Sequence, residues 1–132
     1  MSSDKGISNR PVFVLDDHPA IRASIRRLLE AHGFKTQLFD SPESFRAWPN
    51  PDDGLCLVLD VNLKVGSGIE MRRQLTSSGS SLPVIFMTAC DSVGLRKQAI
   101  DAGCLAFLIK PFSSQSLLRA IAEAVALRGA GL

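Results

Sequence analysis

Residues 55–60 read Leu-Cys-Leu-Val-Leu-Asp, an unbroken apolar run that ends at an acid. A strand with one solvated face alternates apolar and polar residues, whereas a strand covered on both faces is apolar throughout. The run therefore predicts a central strand of a parallel sheet, with Asp60 at the point where the strand ends. Residues 11–15 and 82–87 have the same character, and they are followed by Asp16 and Thr88.

Helical patterns separate these apolar runs along the whole chain. The predicted strands cover residues 11–15, 34–39, 55–59, 82–87 and 105–109. The predicted helices begin near Pro19, Pro42, Gly68, Ser92 and Ser113. Parallel neighbours need a long crossover, so strands that alternate with helices predict a parallel sheet with helices on both faces. Because such crossovers are right-handed, we expect a doubly wound α/β fold of the flavodoxin-like (βα)5 type, with strand order 2-1-3-4-5.

Composition and length indicate one folded domain. The chain has 132 residues, of which 45% are hydrophobic and 21% charged, as is typical of a globular protein. We expect the domain to cover residues 11–127, between loosely ordered tails at residues 1–10 and 128–132. The formal net charge of +2, without a run of Lys or Arg, gives no indication that this domain binds nucleic acid directly.

No segment of the sequence indicates export or a membrane span. The N-terminal segment lacks the apolar centre of a signal peptide, and no apolar run reaches the roughly 20 residues that cross a bilayer. Cys56, Cys90 and Cys104 lie in or beside apolar runs without metal-ligand spacing, so we expect buried thiols and no disulfide. These features together predict a cytoplasmic protein.

Five polar side chains follow the predicted strands where those strands end, namely Asp16, Asp17, Asp60, Thr88 and Lys110. In an open α/β sheet the ligand lies beyond the carboxyl ends of the strands, near the point where the strand order reverses. Strands one, three, four and five are neighbours in the predicted order, about 4.8 Å apart. We therefore expect the five side chains to converge on one small pocket.

The residue types in this pocket are those that phosphoryl transfer needs. Three close carboxylates cannot all ionise without a cation, and an oxygen-only set with few protein ligands suits Mg²⁺. Thr88 adds a hydroxyl donor, and Lys110 adds a compact positive charge of the kind that binds phosphate. A carboxylate nucleophile, a metal and a cation for the equatorial oxygens together predict an aspartyl phosphate site.

Four segments at these strand ends resemble the signature motifs of bacterial response-regulator receiver domains, the CheY-like superfamily. They are Val-Leu-Asp16-Asp17, Val-Leu-Asp60-Val-Asn62, Met-Thr88-Ala89 and Ile-Lys110-Pro111-Phe112. Each motif alone is weak, but all four occur in order, and the resemblance covers residues 11–127. The segment Phe-Asp-Ser41-Pro-Glu-Ser-Phe45 is similar to the FixJ-type branch of this family.

The resemblance implies a role for each acidic position. Asp60 would be the phosphoacceptor. Asp17 would bind Mg²⁺ directly and Asp16 mainly through water, and Asp60 and the backbone carbonyl of Asn62 would be further ligands. These roles belong to the family and are carried over because the residues match its motifs.

The resemblance also implies roles at the ends of the last two strands. Thr88 would bind a phosphoryl oxygen and Lys110 would pair with the phosphate, so both would assist the reaction at Asp60. Phe107 would be the switch aromatic that turns inward as Thr88 moves. Pro111 matches the family's proline, whose preceding peptide bond is often cis.

The implied function is that of a switch in a two-component system. A sensor histidine kinase would be the partner that supplies the phosphoryl group, and the module would catalyse only its own phosphorylation and slow autodephosphorylation. The face made by the fourth helix, fifth strand and fifth helix would then bind partners or form a homodimer. No output domain is readable in residues 1–132, so the chain is either a stand-alone receiver or part of a longer regulator.

One position departs from the family pattern. After the phosphoacceptor the family usually reads hydrophobic-Pro-Gly, whereas this loop reads Leu63-Lys64-Val65-Gly66. Lys64 therefore replaces the proline, which should loosen the loop beside Asp60 and bring a positive charge near it.

Other interpretations remain open at several positions. Asp16 and Asp17 also suit the N-terminus of a helix, where they would interact with its dipole. Thr88 and Lys110 also suit ordinary strand ends, and Phe107 also suits the core. His18 and His32 are expected to face solvent at the two ends of the first helix, without a metal role.

Three other protein classes share part of this pattern. Haloacid-dehalogenase-type phosphatases also use an aspartate nucleophile with Mg²⁺, but their acids follow the first strand and they carry a cap domain. A degenerate receiver would bind partners without phosphorylation, and the intact set of pocket residues argues against it. A flavodoxin would need a phosphate-binding loop after the first strand, where Asp16 and Asp17 would repel phosphate.

Overall fold

Five parallel strands form one sheet in the order β2-β1-β3-β4-β5, which confirms the predicted topology. The computed structural model describes residues 9–130. The strands are β1 Val12–Leu15, β2 Thr36–Phe39, β3 Cys56–Asp60, β4 Val84–Thr88 and β5 Ala106–Ile109. The helices are α1 Pro19–Ala31, α2 Pro42–Arg46, α3 Gly68–Ser77, α4 Val93–Ala102 and α5 Ser114–Ala130, with a 3₁₀ turn at Pro51–Asp53. None of the helices between residues 9 and 130 combines the length and apolar character that a bilayer crossing needs.

All five strands begin later than the apolar runs predict, and β2 and β4 do so by two residues. Gly33 has a φ of +86°, and the N–H of Phe34 bonds back to the carbonyl of Leu29, so this segment ends α1 and pairing starts only at Thr36. Strand β4 starts after Pro83 because proline has no N–H to donate to a ladder. These differences shorten the strands at their amino ends, whereas β3 and β4 each extend one residue beyond the predicted carboxyl end, to Asp60 and Thr88.

The Ser41 cap is as predicted, whereas the start and the end of the last helix differ slightly from expectation. Ser41 forms a capping box with Ser44, as its place before Pro42 predicts. Helix α5 begins at Ser114 rather than Ser113, because the Ser113 hydroxyl accepts from the Ser116 N–H as an N-terminal cap would. The same helix continues to Ala130, three residues beyond the expected domain end at residue 127. Most of the tail predicted at residues 1–10 lies outside the described residues.

The sheet separates two clusters of buried side chains. Alternate residues of each strand point to opposite faces, so Leu57 and Leu59 contribute to one cluster and Cys56 and Val58 to the other. The first cluster, which we call the α2–α4 face, packs under helices α2, α3 and α4. The second, the α1/α5 face, packs under α1 and α5. Both faces are covered, which explains the continuous apolar runs of β1, β3 and β4.

The cysteine prediction was wrong at one position and partly wrong at another. All three thiols are free, and Cys56 is fully buried in β3. Burial raises the pKa of the Cys56 thiol to about 12, so it stays protonated at neutral pH. Cys104 is only half-buried, and Cys90 is exposed because the chain leaves the sheet after Thr88.

Candidate functional site

The predicted polar side chains meet at the carboxyl edge of the sheet. Asp16 follows β1, Asp60 ends β3, Thr88 ends β4 and Lys110 follows β5. Because β1, β3, β4 and β5 are successive neighbours, their ends lie side by side. Asp16 and Thr88 are fully buried and Asp60 is 3% exposed, so the sheet and loops remove these groups from water.

Lys110 joins two of the three carboxylates. Its Nζ lies 2.8 Å from Asp16 Oδ2 and 3.3 Å from Asp60 Oδ2. The peptide bond between Lys110 and Pro111 is cis, as the family resemblance implies. One ammonium thus contacts two of the three acids in the pocket, and the acids outnumber it.

Burial and these contacts move the carboxyl pKa values in opposite directions. Burial raises the pKa of Asp60, and the Asn62 N–H and the Lys110 charge offset only part of that rise. Burial also acts to raise the pKa of Asp16, but hydrogen bonds from Lys110 and His18 outweigh it and leave that pKa below its ordinary value. The pocket therefore disfavours the ionised form of Asp60 relative to water and favours the ionised form of Asp16.

Removal of the Asp60 charge should stabilise the metal-free protein. The folded chain holds the Asp60 proton more tightly than the unfolded chain, so stability is lost as pH rises from the ordinary value of 3.8 through the raised pKa. The variant Asp60→Asn carries no such penalty. Asp60→Asn should therefore have a higher Tm than wild type at neutral pH, with a smaller difference in acid.

Thermal unfolding in EDTA across this pH range measures the effect. The control is Asp53→Asn, the same change in the 3₁₀ turn at the opposite edge of the sheet. A lower Tm for Asp60→Asn than for wild type at neutral pH would contradict a raised pKa for Asp60.

Asp17 has one occupied oxygen and one orphaned oxygen. Its Oδ2 accepts from the backbone N–H of Lys64 at 2.8 Å. Its Oδ1 is buried and has no hydrogen-bond partner, and the side chain as a whole is only 10% exposed. A buried carboxylate oxygen without a donor is costly unless a cation takes that place.

The donor set of the pocket fits a divalent metal ion. Asp16, Asp17, His18 and Asp60 each offer one ligand atom, and these atoms lie within 4.8 Å of one another. A small set of carboxylate oxygens matches the preferences of Mg²⁺, which takes few protein ligands and keeps several waters. The orphaned Asp17 Oδ1 is the observation that favours an ion over a purely structural cluster.

Asn62 and Thr88 connect the pocket across the sheet. The N–H of Asn62 donates to Asp60 Oδ1 at 3.1 Å, and its side-chain amide donates to Thr88 Oγ1 at 3.2 Å. The same hydroxyl oxygen also accepts from the N–H of Cys90. Thr88 is thus held in place by two donors, and the metal role of the Asn62 carbonyl stays a prediction.

Phe107 lies apart from the pocket, on the α2–α4 face. Its ring is half-buried against that cluster, and the Arg96 guanidinium stands 4.9 Å from the ring centroid. Arg96 also lies 3.4 Å from Asp91 Oδ1. The position suits both core packing and a switch, so the switch role of Phe107 stays a prediction.

Several pocket contacts are made by residues that sequence reasoning did not assign to the site. Arg22 of α1 donates to the Asp16 carbonyl at 2.6 Å, and His18 touches the Asp16 carboxylate. A Cβ at Gly68 would collide with the Asp60 carbonyl, so only glycine allows α3 to begin this close to the pocket. The adjacency of His18 to two acids was visible in the sequence, whereas the Gly68 and Lys64 contacts depend on loop geometry.

Comparisons with known proteins agree with this geometry. A family model described as the response regulator receiver domain matches residues 12–122. The transcriptional regulatory protein TdiR of Thauera aromatica is 33% identical over 127 residues, which cover 96% of this chain and 56% of TdiR. The response regulator MprA of Mycobacterium ulcerans is 41% identical over 110 residues, which cover 81% of this chain and 46% of MprA. The chain spans about half the length of the curated relatives it matches.

Solved structures show the same likeness in three dimensions. The response regulator StyR matches with a TM-score of 0.82 and 39% identity, over 89% of this chain and 60% of the StyR chain. The crystal structure of FixJ-N matches with a TM-score of 0.81 and 31% identity, over 89% of this chain and 94% of that chain. Sheet order, pocket residues and sequence similarity lead to one assignment. The chain belongs to the response-regulator receiver domains of two-component systems.

Proposed function

We infer that this chain is a phosphorylation-controlled switch that accepts a phosphoryl group on Asp60 in the presence of Mg²⁺. The observation that carries the proposal is the arrangement around Asp60: a buried carboxylate, a Lys110 ammonium 3.3 Å away and an orphaned Asp17 oxygen beside it. A sensor histidine kinase is the expected donor. The module has no external substrate and catalyses only the gain and slow loss of its own phosphoryl group.

Each pocket residue has a separate role in the proposed transfer. A carboxylate oxygen of Asp60 forms the new P–O bond as the P–N bond of a phosphohistidine breaks, and the leaving imidazole takes up a proton. Lys110 neutralises charge on the phosphoryl oxygens, and the Thr88 hydroxyl donates a hydrogen bond to one of them. Asp17, Asp60 and the Asn62 carbonyl would hold Mg²⁺, with Asp16 acting mainly through water, and the ion would supply further charge neutralisation.

The direct test is incorporation of one phosphoryl group from acetyl phosphate, measured by intact mass. Incorporation should need Mg²⁺ and should disappear when EDTA is added. Labelling at full extent in EDTA would contradict the metal-dependent proposal.

Lys64 contributes to the proposed Mg²⁺ site through its backbone. Its N–H fixes Asp17 Oδ2 and leaves Oδ1 aimed into the pocket, so it pre-positions the ligand. Proline cannot donate this hydrogen bond. Receivers with the usual proline lack this donor, so the N–H refines the position of Asp17 without being required, and we expect Lys64→Pro to weaken Mg²⁺ binding by less than about tenfold.

The matched control is Lys64→Ala, which keeps the N–H and removes only the side chain. Its Mg²⁺ affinity, measured by calorimetry, should stay within about twofold of wild type, because the charged side chain is exposed. Equal weakening by both substitutions would show that the side-chain charge matters and the N–H does not.

The face formed by α4, β5 and α5 is the proposed output surface. Val93 and Ile100 of α4 are 87% and 61% exposed and lie seven residues apart, on one side of the helix. Large apolar side chains grouped in this way are typical of a surface that binds a partner or a second copy. Phosphorylation of Asp60 would draw Thr88 toward the phosphate and let Phe107 turn inward beneath this surface.

Arg96 should oppose that change, because its guanidinium lies against the Phe107 ring and stabilises its present position. Loss of a cation–π contact worth about 0.5–1 kcal/mol should raise the active population roughly two- to fivefold. NMR shifts of the Phe107 ring measure this population in Arg96→Ala with and without beryllofluoride. Lys97→Ala is the control, and equal ring shifts in both variants would contradict a role for Arg96.

A further inference from the structure

His18 occupies the position where a helix cap is expected, but it does not act as a cap. It is the residue before α1, and its side chain makes no capping hydrogen bond, although Ser, Thr, Asp or Asn normally accept one there. The imidazole turns instead toward the acids, with Nδ1 at 2.9 Å from Asp16 Oδ1. The side chain is 62% exposed, so the ring borders the pocket and is open to solvent on its other side.

The distances around this ring are those of ligands on one metal ion. Nδ1 lies 3.9 Å from Asp17 Oδ1, the buried oxygen that has no partner. Around an ion bound at about 2.1 Å, adjacent ligands are roughly 3 Å apart and opposite ligands roughly 4.2 Å apart. The Asp16 and Asp17 distances fall near these two values, and only small side-chain shifts are needed to close a site.

Imidazole changes which ions the pocket favours. Carboxylates and carbonyls suit Mg²⁺, which gains little from a nitrogen ligand. Imidazole nitrogen combined with carboxylate suits Zn²⁺, Co²⁺ and Ni²⁺. The Lys110 ammonium pairs with Asp16 Oδ2, and the other oxygen of that carboxylate, Oδ1, faces His18.

We propose that His18 Nδ1, Asp16 Oδ1 and Asp17 Oδ1 form a site for a divalent transition metal at the outer edge of the phosphoacceptor pocket, where the metal replaces the proton between Nδ1 and Asp16 Oδ1 and that proton passes to Nε2 or to solvent. The inference rests on the proposed function, because Asp17 is also the expected Mg²⁺ ligand. The two ions share that carboxylate and exclude each other. A transition metal bound at this edge therefore blocks Mg²⁺ from Asp60, which makes phosphorylation sensitive to Zn²⁺ or Co²⁺.

Parallel titrations of wild type and His18→Ala with Co²⁺ and with Mg²⁺ test the site. Visible d–d absorption reports Co²⁺ binding, and calorimetry reports Mg²⁺ binding. We expect His18→Ala to weaken Co²⁺ binding by about tenfold or more and to weaken Mg²⁺ binding by a smaller factor, so that the preference of wild type for Co²⁺ over Mg²⁺ falls. Zn²⁺ should inhibit labelling of wild type by acetyl phosphate, and His18→Ala should resist this inhibition.

The second histidine of the chain provides the control. His32 lies at the other end of α1 with Nδ1 on the Leu28 carbonyl, so His32→Ala should leave both affinities unchanged. His18→Asn restores a capping residue and should also lose Co²⁺ affinity, which separates ligation from any effect on α1.

The outcomes separate the inference from the proposed function. Co²⁺ affinity that is equal in wild type, His18→Ala and His18→Asn would overturn the transition-metal site while leaving Mg²⁺ binding intact. Failure of wild type to bind Mg²⁺ would instead overturn the proposed function. Loss of Co²⁺ binding in the His18 variants, with Mg²⁺ binding retained, would support both.

Discussion

Asp60→Asn should abolish phosphoryl incorporation from acetyl phosphate or a phosphorylated histidine kinase. Asparagine keeps the shape of the side chain and an oxygen that accepts from the Asn62 N–H, but an amide is not a nucleophile toward phosphorus. The fold should survive the change, and the raised pKa of Asp60 predicts that it becomes more stable. Intact-mass spectrometry in Mg²⁺ measures the loss, and peptide mapping of wild type should place the group on the peptide that contains Asp60.

Asp53→Asn is the matched control for this experiment. The residue accepts from the Trp48 indole at the opposite edge of the sheet, far from the pocket, so labelling should match wild type. Equal labelling of Asp60→Asn and wild type would remove Asp60 from the role of phosphoacceptor.

Asp17→Asn should cause the largest loss of Mg²⁺ affinity among single changes at the acids that are not phosphorylated. Asp17 Oδ1 is buried without a partner, whereas both oxygens of Asp16 already have partners in Lys110 and His18. Loss of a contact between charged groups, on the order of 1.5–3 kcal/mol, corresponds to roughly a ten- to hundredfold weaker Kd. Asp16→Asn should weaken binding less, because water is expected to separate it from the ion.

Calorimetric Mg²⁺ titration of the two variants decides this ranking. Asp53→Asn again serves as the control and should bind as wild type does. An unchanged Kd in Asp17→Asn would contradict the metal site, and a larger loss in Asp16→Asn would exchange the roles of the two acids.

The fold could be predicted from the sequence because burial leaves a direct pattern in it. The runs that became β1, β3 and β4 are apolar throughout, and both faces of the sheet are covered. The exact starts could not be predicted from hydrophobicity, since Phe34 is taken up by the end of α1 and Pro83 lacks the N–H that pairing needs.

The site was predictable to the extent that it consists of side chains at strand ends. Asp16, Asp60, Thr88 and Lys110 converge because parallel neighbours end at one edge. The orphaned Asp17 Oδ1 and the Lys64 N–H that bonds to the other oxygen, Oδ2, were not predictable, because loop conformation decides which backbone donor faces which acid. Lys64 was expected to act through its charge, yet it is the N–H of that residue that contacts the pocket.

The division of the core by the sheet affects how the sequence of this domain can evolve. Leu29 and Ile121 share no buried cluster with Phe45 or Leu75, so among the described residues the two apolar clusters lie on opposite faces of the strands. Substitutions in opposite layers should therefore combine additively in their effect on folding free energy. We therefore expect that the buried side chains of one layer can be replaced, in evolution or in design, while the other layer keeps its original residues.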